Sequence, residues 1–324
     1  MPRLAIVISA MGSVESLEGT LVSVLENRPS DCEIIVALNQ AYRDPYELHG
    51  EVRFVETARR MSPIARINQA LSATRAPFVH LLASGCEVTE GWADLALTRF
   101  GDRHVGSVAP LVLDAQNPDR IFAAGVGYHH GGARYLVGQG LARLTPETQG
   151  RILGACAFAA FYRKSALDFV GGLSRQLGMG QADVDLALVL ARAGFAVAVE
   201  PRSRIYASAD VEARPGAAQQ ALHDERLFWR NLPNAGQVKS LAAHAGLVTL
   251  ELLRSLGRPR MLAQLAGRTW ACGQIGSYVR HRHALEQLGR RALPAKPGFE
   301  HVRIDRSHGV SAHAEPSAAR APLG

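Results

Sequence analysis

The feature that most restricts how this chain can fold is the alternation, at its very start, of short continuous apolar runs with amphipathic ones. Residues 4–9 (LAIVIS) are apolar and β-branched, Gly12-Ser13 follows, and Leu17, Leu21, Val24 and Leu25 then recur on one helical face. Asn27-Arg28-Pro29 stops that helix, and residues 33–38 (EIIVAL) read as a second strand of the fully buried kind. A strand, a helix and a strand within 38 residues is a βαβ unit, whose strands lie parallel and whose helix covers one sheet face. The alternation continues with a strand at 52–56, a helix at 64–74 entered through Ser62-Pro63, and a strand at 78–82. After a turn at 83–87 come a helix at 91–100 and a strand at 104–113. The expected class is α/β, with a mixed, mainly parallel sheet flanked by helices.

A loop region rich in Pro and Gly spans 117–140. Residues 152–162 (ILGACAFAAFY) fit a strand or a buried helix by periodicity, and Gly154 with the aromatic residues favours a strand beside a site. A short helix at 165–170 ends at Gly171-Gly172. A clearer one at 183–193 has Asp183 placed to cap it and Gly194 at C′. A strand at 195–200 is closed by Pro201. Beyond Ser208 the pattern becomes amphipathic and helical through 212–233, 237–256 and 259–288, and from Pro294 it loses periodicity. The expected organisation is a domain at 1–210, a helical extension at 211–292 and a mobile tail at 293–324.

Of 324 residues 47% are hydrophobic and 20% charged, enough for one substantial core. No apolar run approaches the roughly 18 residues of a membrane span, and Met1-Pro2-Arg3 leads directly into a strand, so a cytoplasmic protein is expected. Cys32, Cys86, Cys156 and Cys272 lack the paired spacing of a zinc or redox site. Residues 254–291 hold eight arginines and one acidic residue, which accounts for the net charge of +7. Such a segment is either a solvated helix face or a peripheral contact with acidic headgroups at the inner face of a membrane. Nucleic acid is not expected, because no stacking aromatics interleave the arginines.

In open α/β sheets ligands bind beyond the carboxyl ends of the strands. The turns at those ends carry IVISAMGSVESLEGTLVSVLEN, EIIVALNQ and SPIARINQALSATRAPFVHLLASGCEVTEGW, and later ILGACAFAAFYRKSALDFVGGLSRQLGMGQADVDLALVLARAGFAVAVEP. In order and spacing these blocks, covering 4–207, resemble the two halves of family 2 glycosyltransferases. The resemblance implies a GT-A, Rossmann-like fold. It implies an enzyme of polysaccharide biosynthesis that moves a sugar, with inversion, from a nucleotide-sugar donor to a glycan or lipid-linked acceptor.

The resemblance also implies a set of site residues. Family members hold Mg or Mn on the donor diphosphate with a carboxylate-x-carboxylate motif after the fourth strand. Here that degenerate DxD stretch is Ala83, Ser84 and Gly85, with Glu87 just beyond. The histidine that often completes the site falls near Ala207. With the carboxylates replaced, no metal ligand is assigned, and Arg59, Arg60, Arg66, Arg202 and Arg204 are candidates to replace the cation or simply surface arginines. Asp183 takes the place of the family's general base, with Ala182 for the preceding glutamate, although capping alone would also explain it. Asp185, about 200° round the helix, is expected outside the pocket in local pairs. Ser9 and Asn39 fall at the nucleoside, Arg66 and Asn68 on a helix bordering base and diphosphate, and Gly154 on the acceptor side, where relief of packing is the alternative reading. The alternative is a catalytically inactive relative that binds a nucleotide-sugar or glycan, or serves as a partner in polysaccharide assembly.

Overall fold

The computed structural model of the chain describes residues 1–38, 42–56, 61–212, 215–233 and 236–290. The elements follow one another as β1 (Leu4–Ser9), α1 (Val14–Asn27), β2 (Cys32–Ala37), β3 (Val52–Val55), α2 (Pro63–Ser72), β4 (Phe78–Ala83), β5 (Cys86–Val88) and α3 (Trp92–Thr98). Next are β6 (Val105–Asp114), β7 (Ile121–Ala123), β8 (Val126–Tyr128), β9 (Arg134–Leu136), α4 (Pro146–Gln149), β10 (Ala159–Arg163), α5 (Lys164–Val170), α6 (Met179–Arg192) and β11 (Ala196–Ala207). Four helices close the chain: α7 (Ala217–Asn231), α8 (Gln237–Arg254), α9 (Pro259–Cys272) and α10 (Ile275–Arg290).

The main sheet runs β3-β2-β1-β4-β10-β6-β11-β5, with β7 on β6. Its first four strands are parallel, β10 is antiparallel to both neighbours, and β6 and β11 are parallel again. All six residues of β1 are buried because both of its faces are covered. Leu4, Ile6 and Ile8 join Leu17, Leu21 and Val24 of α1 in one core, whereas Ala5 and Val7 join Ile64 and Ile67 of α2 in the other. The mixed, mainly parallel sheet with flanking helices and a helical C-terminal region is as the sequence implied.

Several local expectations are corrected. The loop region 117–140 contains β7 and the β8–β9 hairpin. Within 152–162 only the end from Ala159 is strand; Gly154 meets the sheet system through a lone bridge to Val126. Pro201 does not end its strand, because β11 carries it in an irregularity between Glu200 and Arg204 and resumes pairing to Ala207. The helical run 259–288 is two helices, broken between Cys272 and Ile275.

The C-terminal helices are fastened to the α/β body. Gly267 of α9 is buried, and a Cβ there would lie 2.1 Å from the carbonyl oxygen of Ala218 in α7, so the two backbones touch at a contact only glycine permits. His244 of α8 stacks on Phe228 of α7 at 3.7 Å and bridges the Gly131 carbonyl and Glu225. Among the described residues no helix is long and apolar enough to cross a membrane.

Candidate active site

A cleft of about 510 Å³ opens where the chain leaves the carboxyl ends of β1 and β4, on the side covered by the C-terminal helices. Met11, just past β1, and Ala157 and Phe158, just before β10, form its floor. Asp183 of α6, Arg134 of β9, Asp224 of α7, Arg254 and Arg258 also line it.

Asp183 is corrected in one respect and located in another. The helix begins at Met179 with Gly178 as its N-cap, so Asp183 lies a turn inside and is not the cap. A Gly-Met-Gly start has no capping side chain to mark it in the sequence. The carboxylate lines the cleft, yet it is only 1% exposed and fully engaged. Arg134 donates to Oδ1 from Nε (3.0 Å) and to Oδ2 from Nη2 (2.8 Å), while the Val184 N–H donates to Oδ1 (2.8 Å) and the Ala157 N–H to Oδ2 (3.4 Å). These donors occupy roughly four lone-pair sites, the capacity of a carboxylate. Arg134 also pairs with Glu212 at 2.7 Å. Burial lowers the Arg134 pKa, but the two carboxylates outweigh it and hold the guanidinium firmly charged.

A second carboxylate lining the cleft is absent from the sequence expectations. Asp224 accepts from Gln181 Nε2 (2.7 Å) and from Gln220 Nε2 (3.0 Å to each oxygen), with no cation among its hydrogen-bond partners. Burial raises its pKa to about 6, against the lowering effect of both amides. Its helix lies beyond the blocks that carry the resemblance, so motif reading could not reach it.

The stretch expected to match a metal-binding motif follows β4 beside the end of β1. Ser9 pairs with Ala83 across β1 and β4, and its carbonyl accepts from the Met11 and Ser84 N–H groups. The Ser84 hydroxyl donates to the Met11 carbonyl and accepts from the Met11 N–H (2.9 Å). Gly85, at φ +89°, packs beside Ser208 and Val211, close to where the histidine was expected, and Ala207 pairs with Cys86. The loop therefore offers aliphatic groups and engaged hydroxyls. Such a donor set does not fit Mg or Mn, which require several hard oxygen ligands. Glu87 supplies none, since it alternates with buried Cys86 and Val88 on β5 and faces solvent.

The remaining expected residues are scattered. Arg66 is buried, donates from Nη1 to the Met61 carbonyl (2.8 Å), and is drawn below the usual arginine pKa by burial; it does not line the cleft. Asn68 clamps the turn after α5, donating to the Leu173 carbonyl (2.7 Å) and accepting from the Leu173 N–H (3.1 Å). Gly154 is buried against α6, where a Cβ would sit 2.4 Å from that of Ala187, which is the packing role. Arg202 and Arg204 are exposed on β11, and Arg202 pairs with Glu200. Asp185 does point away from the cleft, but its partners are distant in sequence: Arg230 (3.2 Å) and Asn231 (2.9 Å). Asn39, Arg59 and Arg60, like the tail at 293–324, lie outside the described residues.

The arginine-rich segment divides. Arg254, Arg258, Arg260 and Arg268 line the cleft, whereas Arg280 and Arg290 are exposed on α10. Arg268 is buried between Glu225 and Glu251. The one available sequence signal was the local excess of positive charge, which did not reveal the direction it faces.

No known protein family and no curated protein sequence matches the chain. Solved structures do. GalNAc-T7 with UDP, GalNAc and Mn2+ superposes with a TM-score of 0.60 at 13% identity, over 88% of this chain and 58% of that one. The mannosyltransferase PcManGT from Pyrobaculum calidifontis in complex with GDP-Man and Mn2+ gives 0.51 at 15%, over 87% and 86%. TarS 1-349 from S. aureus gives 0.54 at 12%, over 89% and 91%. This chain thus spans little more than half of the GalNAc-T7 chain. The fold is the GT-A fold of glycosyltransferases.

Proposed function

We propose that this protein is a glycosyltransferase of the family 2 kind, moving a sugar from a nucleotide-sugar donor to a glycan or lipid-linked acceptor with inversion. The observation that carries this reading is a cleft, at the strand ends where such folds bind nucleotides, that is lined by two carboxylates, Asp183 and Asp224, from different helices. In the reaction an acceptor hydroxyl attacks the anomeric carbon, the bond to the diphosphate oxygen breaks, and the hydroxyl proton passes to a carboxylate. By resemblance that carboxylate is Asp183.

A second assignment is favoured by a specific observation. Asp183 already accepts at both oxygens from Arg134 and two backbone N–H groups, whereas Asp224 is held by two neutral amides and has a pKa raised to about 6, closer to the working range of a general base. On this view Asp183 positions the Arg134 side of the cleft. The experiment is transfer and donor hydrolysis over a panel of UDP- and GDP-sugars with wild type, Asp183→Asn and Asp224→Asn. A fall of about 100-fold or more in kcat for one variant, with donor binding kept, identifies the base. Wild type inert toward every donor would discard the enzymatic reading and leave a non-catalytic, sugar-binding relative.

A further inference from the structure

Charge in the cleft is unevenly compensated. Arg134 is neutralised by Asp183 and Glu212, and Arg268 by Glu225 and Glu251. Arg254, Arg258 and Arg260 also line the cleft but form no ion pair among the described residues, and the remaining cleft carboxylate is Asp224. These three sit on one rigid corner. Arg254 ends α8, Arg258 is the N-cap of α9, and Arg260 lies in its first turn. The corner between them is fastened by Arg258 N–H donating to the Ser255 carbonyl (3.1 Å) and by buried Ser255. The α9 N-terminus adds a partial positive charge at the same mouth.

Three guanidinium forks and a helix N-terminus suit a dense, oxygen-rich dianion. Met11 and Val211 of the same cleft contact the loop Ala83 to Gly85, which cannot hold the cation such a dianion otherwise needs. We propose that Arg254, Arg258 and Arg260 form a metal-independent diphosphate clamp, supplied by the helical extension in place of the missing carboxylate-bound cation. The clamp deepens the transferase reading and rests on it only for the identity of the diphosphate, either the nucleotide donor's or that of a lipid-linked acceptor.

The test is calorimetric titration of the full chain, in EDTA, with inorganic pyrophosphate, UDP and farnesyl diphosphate. Wild type is expected to bind pyrophosphate without a divalent cation, more weakly as salt rises. Each single Arg→Gln variant is expected to lose about tenfold in affinity, and the triple variant all measurable binding. All three side chains are exposed, so the single variants keep wild-type melting and carry the test even if the triple variant melts early. Tighter binding of UDP than of farnesyl diphosphate assigns the clamp to the donor, and the reverse order assigns it to the acceptor. Binding that appears only on adding Mg or Mn, or that is unchanged in the variants, overturns the clamp. Arginine-dependent pyrophosphate binding in a protein that turns over no nucleotide-sugar would sink the transferase reading while leaving the clamp intact.

Discussion

Two aspartates two residues apart on α6 show how position on a helix separates a cleft-lining side chain from a packing one. Asp183 reaches the cleft; Asp185, on the other side of α6, is 3% exposed and joins that helix to Arg230 and Asn231 of α7. Arg230 is equally buried, so Asp185→Ala would strand its guanidinium in the interior, an arrangement that costs about 3–5 kcal/mol. Chemical denaturation should show that loss, and wild-type stability in the variant would mean the pair is not buried. The angular offset of the two residues was legible from helical period alone. The partner was not, because Arg230 lies 45 residues away and no local pattern links the two.

At the scale of elements, the decisive contact is α9 on α7. The approach at Gly267 brings backbone to backbone, and a methyl group there would collide with the Ala218 carbonyl rather than with a movable side chain. Gly267→Ala would gain roughly 1 kcal/mol of helix propensity, but overpacking of this kind costs about 1–3 kcal/mol and here meets rigid backbone. A net loss of stability in urea, with weaker pyrophosphate binding as Arg258 and Arg260 shift with their helix, is the expected outcome. A more stable Gly267→Ala variant would show that α9 is not seated as described. The sequence marked α9 as amphipathic, and the apolar periodicity did predict a helix. It could not show that the buried stripe includes Gln264 and Arg268, since polar residues on that face read as a solvated surface until a partner helix supplies Glu225.

For the whole molecule, buried His80 and His223 and half-buried His281, on different elements, tie stability to pH. Burial lowers His80 to about 3, and lowers His223 and His281 to about 4, so each is neutral in the native state. Unfolded histidine takes up a proton near pH 6.5; hence stability is full above that value and is lost as pH falls toward the native pKa. Asp224 works the other way between its unfolded value, near 4, and about 6, because its raised pKa makes the native state hold a proton there. Fully buried His80 alone contributes a loss on the order of 2 kcal/mol by pH 5, from 1.36 kcal/mol per pH unit. The melting temperature should therefore fall steadily from pH 7 to pH 5, and a flat profile would contradict the three neutral rings.

The amino-acid sequence by itself determined the sheet and its covering helices, because strand burial, helical period and turn chemistry are local and repeat within a few residues. It also placed the loop Ala83 to Gly85 beside the end of β1, since parallel register follows from the βαβ units. Only the tertiary structure decided which charges share a cleft. Arg134, Asp183, Asp224 and Arg254 to Arg260 come from four segments far apart in the chain, and their convergence depends on how helices dock. That docking is set by side-chain volume and backbone approach at contacts such as Gly267, information that no single stretch of sequence contains.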